Sequence, residues 1–270
     1  MKGAIFILST GRPASAAKTA QRFSGAFPVL VVTRQDCAAA YAEALYDTNA
    51  SLHVLPTAYR HGIAQARDYA IILAHELRYD VIVMSDDDIS IAELDSAGKV
   101  HALPIDVGGY ATAARLLAYS VAGDQYGLSC LRDRLFCNEP YKLQIPTRLV
   151  GVNVSLLSTR GIKYAFCEPF TVMEDYHFAL KMLSLGIPWL VHTGFVVGDR
   201  GTNAKGGCSE FRTPELQTRC ALRLASEFPD WVRTYQKNGP MGTYLDVKFF
   251  RTKIAKQLAE ASCMKKSSSE

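Results

Sequence analysis

Short apolar runs, each closed by a glycine or polar turn and followed by a stretch of helical period, set the rhythm of the first third of the chain. Gly3 to Ser9 predicts a strand, and Thr10-Gly11-Arg12-Pro13 turns out of it into an Ala-rich helix from Ala14 to Phe23. Val29 to Thr33 predicts a second strand, Cys37 to Leu45 a helix, and Leu52 to Leu55 a third strand. Ile63, Ala66, Ala70, Leu73 and Leu77 recur at three- and four-residue spacing, so a helix ending near Leu77 presents one apolar stripe. Val81-Ile82-Val83-Met84 then reads as a strand buried on both faces. Strand and helix in alternation imply a parallel, doubly wound α/β sheet.

Further along, Ser90 to Ile105 is polar, carries Gly98 and Pro104, and predicts a loop. Val107 to Val121 predicts a helix and Tyr126 to Cys130 a strand, with Leu131 to Pro146 irregular. Thr147 to Ser158 alternates polar and apolar positions as a half-buried strand does. Tyr176 to Leu185 predicts a helix stopped by Gly186-Ile187-Pro188, and Trp189 to Thr193 a strand. Val197 to Arg212 is rich in glycine and reads as a functional loop. Pro214 opens a helix to Glu227, Pro229 to Gly242 predicts a loop, and Val247 to Ala261 a last helix. The expected organisation is a core over 1–194, a basic extension over 195–262 packed on the same domain, and a disordered tail over 263–270.

Composition narrows the class. With 49% hydrophobic and 21% charged residues in 270, the chain supports one large α/β domain or two small ones. No apolar run approaches the ~20 residues of a membrane helix, so no membrane association is expected. The apolar N-terminal stretch is too short for a signal peptide and lacks a cleavage site, which makes it a core strand. The seven cysteines are scattered, odd in number and never C-x-x-C, which argues for a reducing cytoplasm over disulfides or zinc. Net charge is +4 but divided: Met1 to Gly194 has 17 basic and 18 acidic residues, and Phe195 to Glu270 has 13 and 8. A basic C-terminal part fits an anionic macromolecule, or simply a solvated helix surface. Nothing in the sequence marks an obligate protein partner.

The chemistry concentrates where the apolar run Val81 to Met84 ends in Ser85-Asp86-Asp87-Asp88. Ligands of open α/β sheets gather at the carboxyl ends of the strands. Three adjacent carboxylates repel one another, and Asp86 and Asp88 suit Mg²⁺ or Mn²⁺ held jointly with substrate phosphates. A solvated acidic turn is the plain alternative. The glycine turn after the first strand is where α/β proteins cradle a nucleotide. Arg67, early in its helix, either swings over that nucleotide or pairs with Asp68 or Glu76.

Ser9-Thr10-Gly11-Arg12, Gly62-x-x-x-Ala66-Arg67, the Asp86-Asp87-Asp88 strand end and Glu174-Asp175, in that order, resemble a glycosyltransferase of the GT-A fold. Lys205-Gly206-Gly207-Cys208-Ser209-x-x-Arg212 narrows the likeness to the TET/JBP-associated glycosyltransferases, which attach sugars to hydroxymethylated pyrimidines in phage or kinetoplastid DNA. The resemblance implies a nucleotide-sugar donor, UDP-glucose first, held by Ser9, Thr10, Gly11, Arg12, Arg67, Asp86 and Asp87. It implies Mn²⁺ or Mg²⁺ on Asp86 and Asp88, with His192 completing the shell unless it is a core histidine. It gives the base as Asp175 or Glu174, with inversion at the anomeric carbon; N-terminal capping of a helix is the other reading of that pair. DNA, the acceptor, falls to Arg200, Lys205, Gly206, Gly207, Ser209 and Arg212, with Phe211, Trp231 or Tyr235 stacking on a base. The location implied is cytoplasmic, that of a host if the chain is phage-encoded. Asp68 departs from the GT-A pattern, where Asn is common after the Arg.

Three other classes compete. A GT-A enzyme acting on a glycan, lipid or protein hydroxyl would share the metal site. A nucleotidyltransferase would want a Gly-rich, Lys-bearing start after the first strand, and a pure DNA-binding module would leave the acidic triplet unused.

Overall fold

The computed structural model describes residues 1–57, 59, 62–95, 99–102, 108–122, 126–133, 143–146, 150–153, 170–198, 212–239 and 241–267. The chain opens with β1 (Gly3–Leu8), α1 (Pro13–Phe23), β2 (Val29–Arg34), α2 (Ala38–Leu45) and β3 (Ala50–Leu55). It continues with α3 (Ile63–Glu76), β4 (Val81–Asp86), β5 (Ser90–Leu94), β6 (Val100–Ala102), α4 (Gly108–Ala122), β7 (Leu128–Asp133) and β8 (Val150–Asn153). Then come α5 (Glu174–Ser184), β9 (Trp189–Gly198), α6 (Pro214–Glu227), β10 (Val232–Gly239), β11 (Gly242–Phe249) and α7 (Arg251–Ser267).

One sheet runs in the order β3-β2-β1-β4-β8-β7-β9-β5-β6. Strands β3, β2, β1 and β4 are mutually parallel, β8 is antiparallel to β4 and β7, and β9 returns parallel to β7. The expected α/β class is what the chain forms, a helix-flanked sheet with a parallel run through β3, β2, β1 and β4. Strand alternation divides β1 between two cores. Ala4, Phe6 and Leu8 join Ile82 and Met84 under α3 and α5, while Ile5 and Ile7 join Val81 and Val83 under α1, α2 and α4. Helices cover both faces, so the strand sequences are continuously apolar rather than alternating.

The C-terminal part shares the first of these cores. Cys220, Ala221 and Leu224 of α6, Val232, Val247 and Ile254 all pack there with Phe178 and Leu180.

Several elements differ from expectation. The segment expected to be a loop after Ile89 contains β5 and β6, which extend the sheet beside a β9 that runs on to Gly198. Ile91 and Ala92 are buried there, but the run is too short for its period to stand out. The expected loop over Pro229 to Gly242 and the start of the expected last helix are instead the antiparallel pair β10–β11. Only Val232, Tyr244 and Val247 are buried in that hairpin, so it carries little hydrophobic pattern. Helix α7 starts at Arg251 and runs to Ser267, so residues 263–267 are helical rather than tail, and 268–270 lie outside the described residues.

Candidate active site

Register assembles the first half of the site. Leu8 of β1 is paired with Asp86 of β4, so Ser9 and Asp87 leave the sheet side by side. Ser9 Oγ hydrogen-bonds Asp87 Oδ2 and shares a 2.5 Å hydrogen bond with the Tyr41 hydroxyl. Gly11, at φ +72°, makes the left-handed turn that folds Arg12 back over the strand ends, a conformation that suits glycine. Arg12 then grips two carboxylates. Its Nε donates to Asp87 Oδ2 at 3.1 Å, Nη2 lies 2.6 Å from Asp87 Oδ1, and Nη1 lies 2.6 Å from Asp88 Oδ2. Tyr41 OH accepts the Arg12 backbone amide at 3.1 Å, and Thr19 Oγ1 donates to the Asp87 carbonyl at 2.8 Å.

The three carboxylates therefore do different things. Asp87 is wholly buried and holds Arg12; burial pushes its carboxyl up to about 6 against the pull of Ser9 and Arg12. Asp88 is nearly buried and is held by the other arm of the guanidinium. Asp86 stays partly exposed at the end of β4. Part of the charge that an external cation was expected to balance is balanced by Arg12. A fork of donors matched to carboxylates is a geometry lysine cannot reproduce.

The second half comes from α3 and the head of α5. Arg67, buried on α3, places Nη1 3.1 Å from Glu174 Oε1 and Nη2 3.7 Å from Asp86 Oδ1. One guanidinium thus spans from the acidic strand end to the helix start, in place of a solely local pairing with its helix neighbours. Met173, at φ 64°, takes the left-handed conformation just before Glu174. A bulky residue there is a local strain of the kind found at functional sites. Burial and the adjacent Asp175 push Glu174 up to about 7, with Arg67 opposing. Burial also raises Asp175, while Arg67 and Arg212 pull it down. Asp175 Oδ1 accepts the Tyr176 amide at 2.8 Å, so it occupies a free amide of the first turn while Glu174 faces Arg67.

Ser9, Gly11, Arg12, Arg67, Asp86, Asp87, Asp88, Glu174 and Asp175 are brought into one neighbourhood, with Thr10 in the same turn. Arg212 joins through its electrostatic hold on Asp175. His192 does not join. It sits on β9, three strands from β4 or roughly 14 Å at the usual strand spacing, and Nε2 shares a 2.7 Å hydrogen bond with Ser120 of α4. It is half-buried, and that burial lowers its pKa. Arg200, Lys205, Gly206, Gly207, Ser209 and Phe211 lie outside the described residues. Trp231 stacks on Phe228 with centroids 5.8 Å apart, and Tyr235 is exposed.

Sequence reasoning missed Tyr41, Thr19 and Met173. Tyr41 is a lone large residue in an Ala-rich helix and fully buried, which hints at a core position but not at its two partners across the fold.

Among the described residues no three of His, Cys, Asp and Glu cluster tightly enough to hold a metal ion. The oxygen donors of Asp86 and Asp88 do fit an ion of the magnesium or manganese kind, which takes its remaining ligands from water and phosphate.

The sequence matches the TET-Associated Glycosyltransferase family over residues 3–207. A search of the curated proteins returns no match. Among solved structures, 4-diphosphocytidyl-2C-methyl-D-erythritol synthase from Anaerococcus prevotii is 12% identical at TM-score 0.46, covering 72% of this chain and 89% of its own. The glycosyltransferase GlyE of Streptococcus pneumoniae is 13% identical at TM-score 0.44, covering 71% of this chain and 45% of its own. Mannose-1-phosphate geranyltransferase from Thermus thermophilus is 11% identical at TM-score 0.41, covering 66% and 68%. With well over half of its length matched, the chain belongs to the TET-associated glycosyltransferase family.

Proposed function

We propose that this glycosyltransferase moves a sugar, with inversion, from a nucleotide-diphosphate donor to a hydroxymethyl pyrimidine in DNA, with UDP-glucose the first donor to try. The observation that carries the reading is the chain Asp86–Arg67–Glu174, which sets a carboxylate of raised pKa beside the strand end where the donor diphosphate belongs.

Thr10, Gly11 and Arg12 form the turn that cradles the nucleotide. Asp86 and Asp88 are the residues to hold Mn²⁺ or Mg²⁺, and such an ion, when bound, neutralises charge developing on the diphosphate. Glu174 accepts the proton of the acceptor hydroxymethyl group as its oxygen bonds to the anomeric carbon. The bond from that carbon to the diphosphate oxygen breaks on the opposite face, which inverts the centre. A base needs a pKa near the working pH, and about 7 meets that condition. Arg67 fixes the carboxylate and, with Asp86 on its other arm, couples base and donor sites. Asp175, tied to the first turn of α5, is the alternative base.

Charge favours DNA as the acceptor, since the residues after Gly194 carry all of the basic excess, +5 against −1 before them. The test is to incubate the protein with labelled nucleotide-sugars and hydroxymethylated duplex DNA, digest the DNA, and weigh its nucleosides. A nucleoside heavier by one hexose is the expected result. Transfer to a glycan, lipid or protein hydroxyl, with DNA left unmodified under every donor, would overturn the acceptor and leave the glycosyltransferase.

A further inference from the structure

We infer that the outward face of the β10–β11 ribbon is the surface on which duplex DNA docks, a proposal that rests on the DNA reading above. The ribbon and α7 lie beyond residue 207, outside the part of the chain that the family match covers.

Register separates the two faces of the ribbon. Val232 and Phe249, Thr234 and Val247, and Gln236 and Leu245 are opposite one another, and Val232, Val247, Leu245 and Phe249 pack into the core. On the other face Arg233 is opposite Lys248, Tyr235 is opposite Asp246, and Lys237 lies over the buried ring of Tyr244. Two cations directly opposite on an exposed face repel each other, a cost that a bound polyanion removes. Among the described residues Arg233 and Lys248 make no ion pair. The Arg233 guanidinium lies 5.4 Å from the centre of the Phe250 ring, and Lys253 Nζ lies 5.3 Å from the same ring.

Residues 230–256 hold six basic and two acidic residues, net +4, as large as the net charge of the whole chain. Both acids are already engaged, Asp246 with Lys237 at 2.8 Å and Asp230 with Lys253 at 3.5 Å. A second copy of this face would meet like charge, so the occupant is an anion. A two-stranded ribbon also matches the width of the B-DNA major groove. The ribbon is also fastened to the helix of Glu174 and Asp175: Phe249, on its inward face, packs edge-on against Tyr176, 5.1 Å between centroids.

The experiment uses the full chain and a hydroxymethylated duplex, with binding followed by fluorescence anisotropy from low to moderate salt. Comparison is with Arg233→Gln/Lys248→Gln. Each lost phosphate contact shallows the log–log salt slope by about 0.9, so the double variant should lose close to two units of slope and bind at least tenfold more weakly at low salt. Donor hydrolysis without acceptor should be unchanged, which shows an intact fold. An unchanged slope in a variant that still hydrolyses donor would overturn the ribbon even if the wild type glycosylates DNA. A shallower slope with no hexosyl nucleoside from any donor would keep the ribbon and sink the acceptor. Equal affinity for single-stranded DNA, with no preference for duplex, would overturn the duplex assignment.

Discussion

Arg67 Nη1 stands 3.1 Å from Glu174 Oε1, so the guanidinium of α3 and the first carboxylate of α5 form one buried pair across two elements. Asp86 lies on the other side of the same guanidinium. Whatever moves Arg67 therefore moves both halves of the site.

Arg67→Met should destabilise the fold by about 3–5 kcal/mol, because breaking a buried pair leaves an uncompensated charge. Urea denaturation measures it. Arg67→Lys should recover part of the stability but little activity, since one ammonium cannot reach two carboxylates as a fork does. A loss in the Met variant below about 1 kcal/mol would mean that the pair is not the buried link described.

The pH dependence follows from Glu174. Its carboxyl is raised from 4.5 to about 7, so the base is proton-loaded below that point and free above it. The rate at low substrate should rise about tenfold per pH unit below 7 and level off above. In Glu174→Gln that inflection should vanish, with a rate loss of about 10²–10⁴. Stability has the opposite sign. The unfolded chain releases this proton near 4.5 and the folded chain holds it to about 7, so the contribution present below 4.5 is lost as pH rises through 7. Glu174→Gln should flatten that part of the stability profile. An acid limb unchanged in both Glu174→Gln and Asp175→Asn would place the base elsewhere.

The sheet was legible because strands covered on both faces carry unbroken apolar runs, as in Ala4 to Leu8 and Val81 to Met84. The β10–β11 hairpin was not legible, because only three of its residues are buried and the others are half-buried or exposed. Asn238-Gly239, a dipeptide common in hairpin turns, does not mark this one, since both residues are still paired in the ladder opposite Thr243 and Gly242. The carboxylates and arginines of the site were legible as types, but not their pairing. That Arg12 would hold Asp87 and Asp88 depends on Gly11 turning left-handed and on Tyr41 reaching Ser9 from a helix far along the chain. His192 misled because a histidine in a strand looks the same whether it faces a metal or, as here, Ser120.

Metal dependence is testable against Arg12. Chelation should abolish transfer, and added Mn²⁺ should restore it. Asp88→Ala should also abolish transfer and leave the fold standing, since Arg12 keeps its grip on Asp87. In the absence of nucleotide, Arg12 competes with any cation for Asp88. Calorimetry should therefore show weaker Mn²⁺ binding to the wild type than to Arg12→Ala. Full transfer in chelator, or full activity of Asp88→Ala, would end the metal assignment.

Met173 offers a test of the backbone that aims Glu174. Its φ of 64° costs a residue with a Cβ roughly 1–2 kcal/mol, while its buried side chain contributes about 1.5–3 kcal/mol. Met173→Ala loses the burial and keeps the strain, so it should cost about 2–5 kcal/mol. Met173→Gly loses the same burial but relieves the strain. The glycine variant should therefore be the more stable of the two by about 1 kcal/mol, the reverse of the order seen where φ is negative. Its turnover should also exceed that of Met173→Ala, because the turn that presents Glu174 to Arg67 is kept without cost. Thermal unfolding of the two variants side by side decides the point, and an alanine variant equal to or above the glycine variant would remove the strained turn from the account of the site.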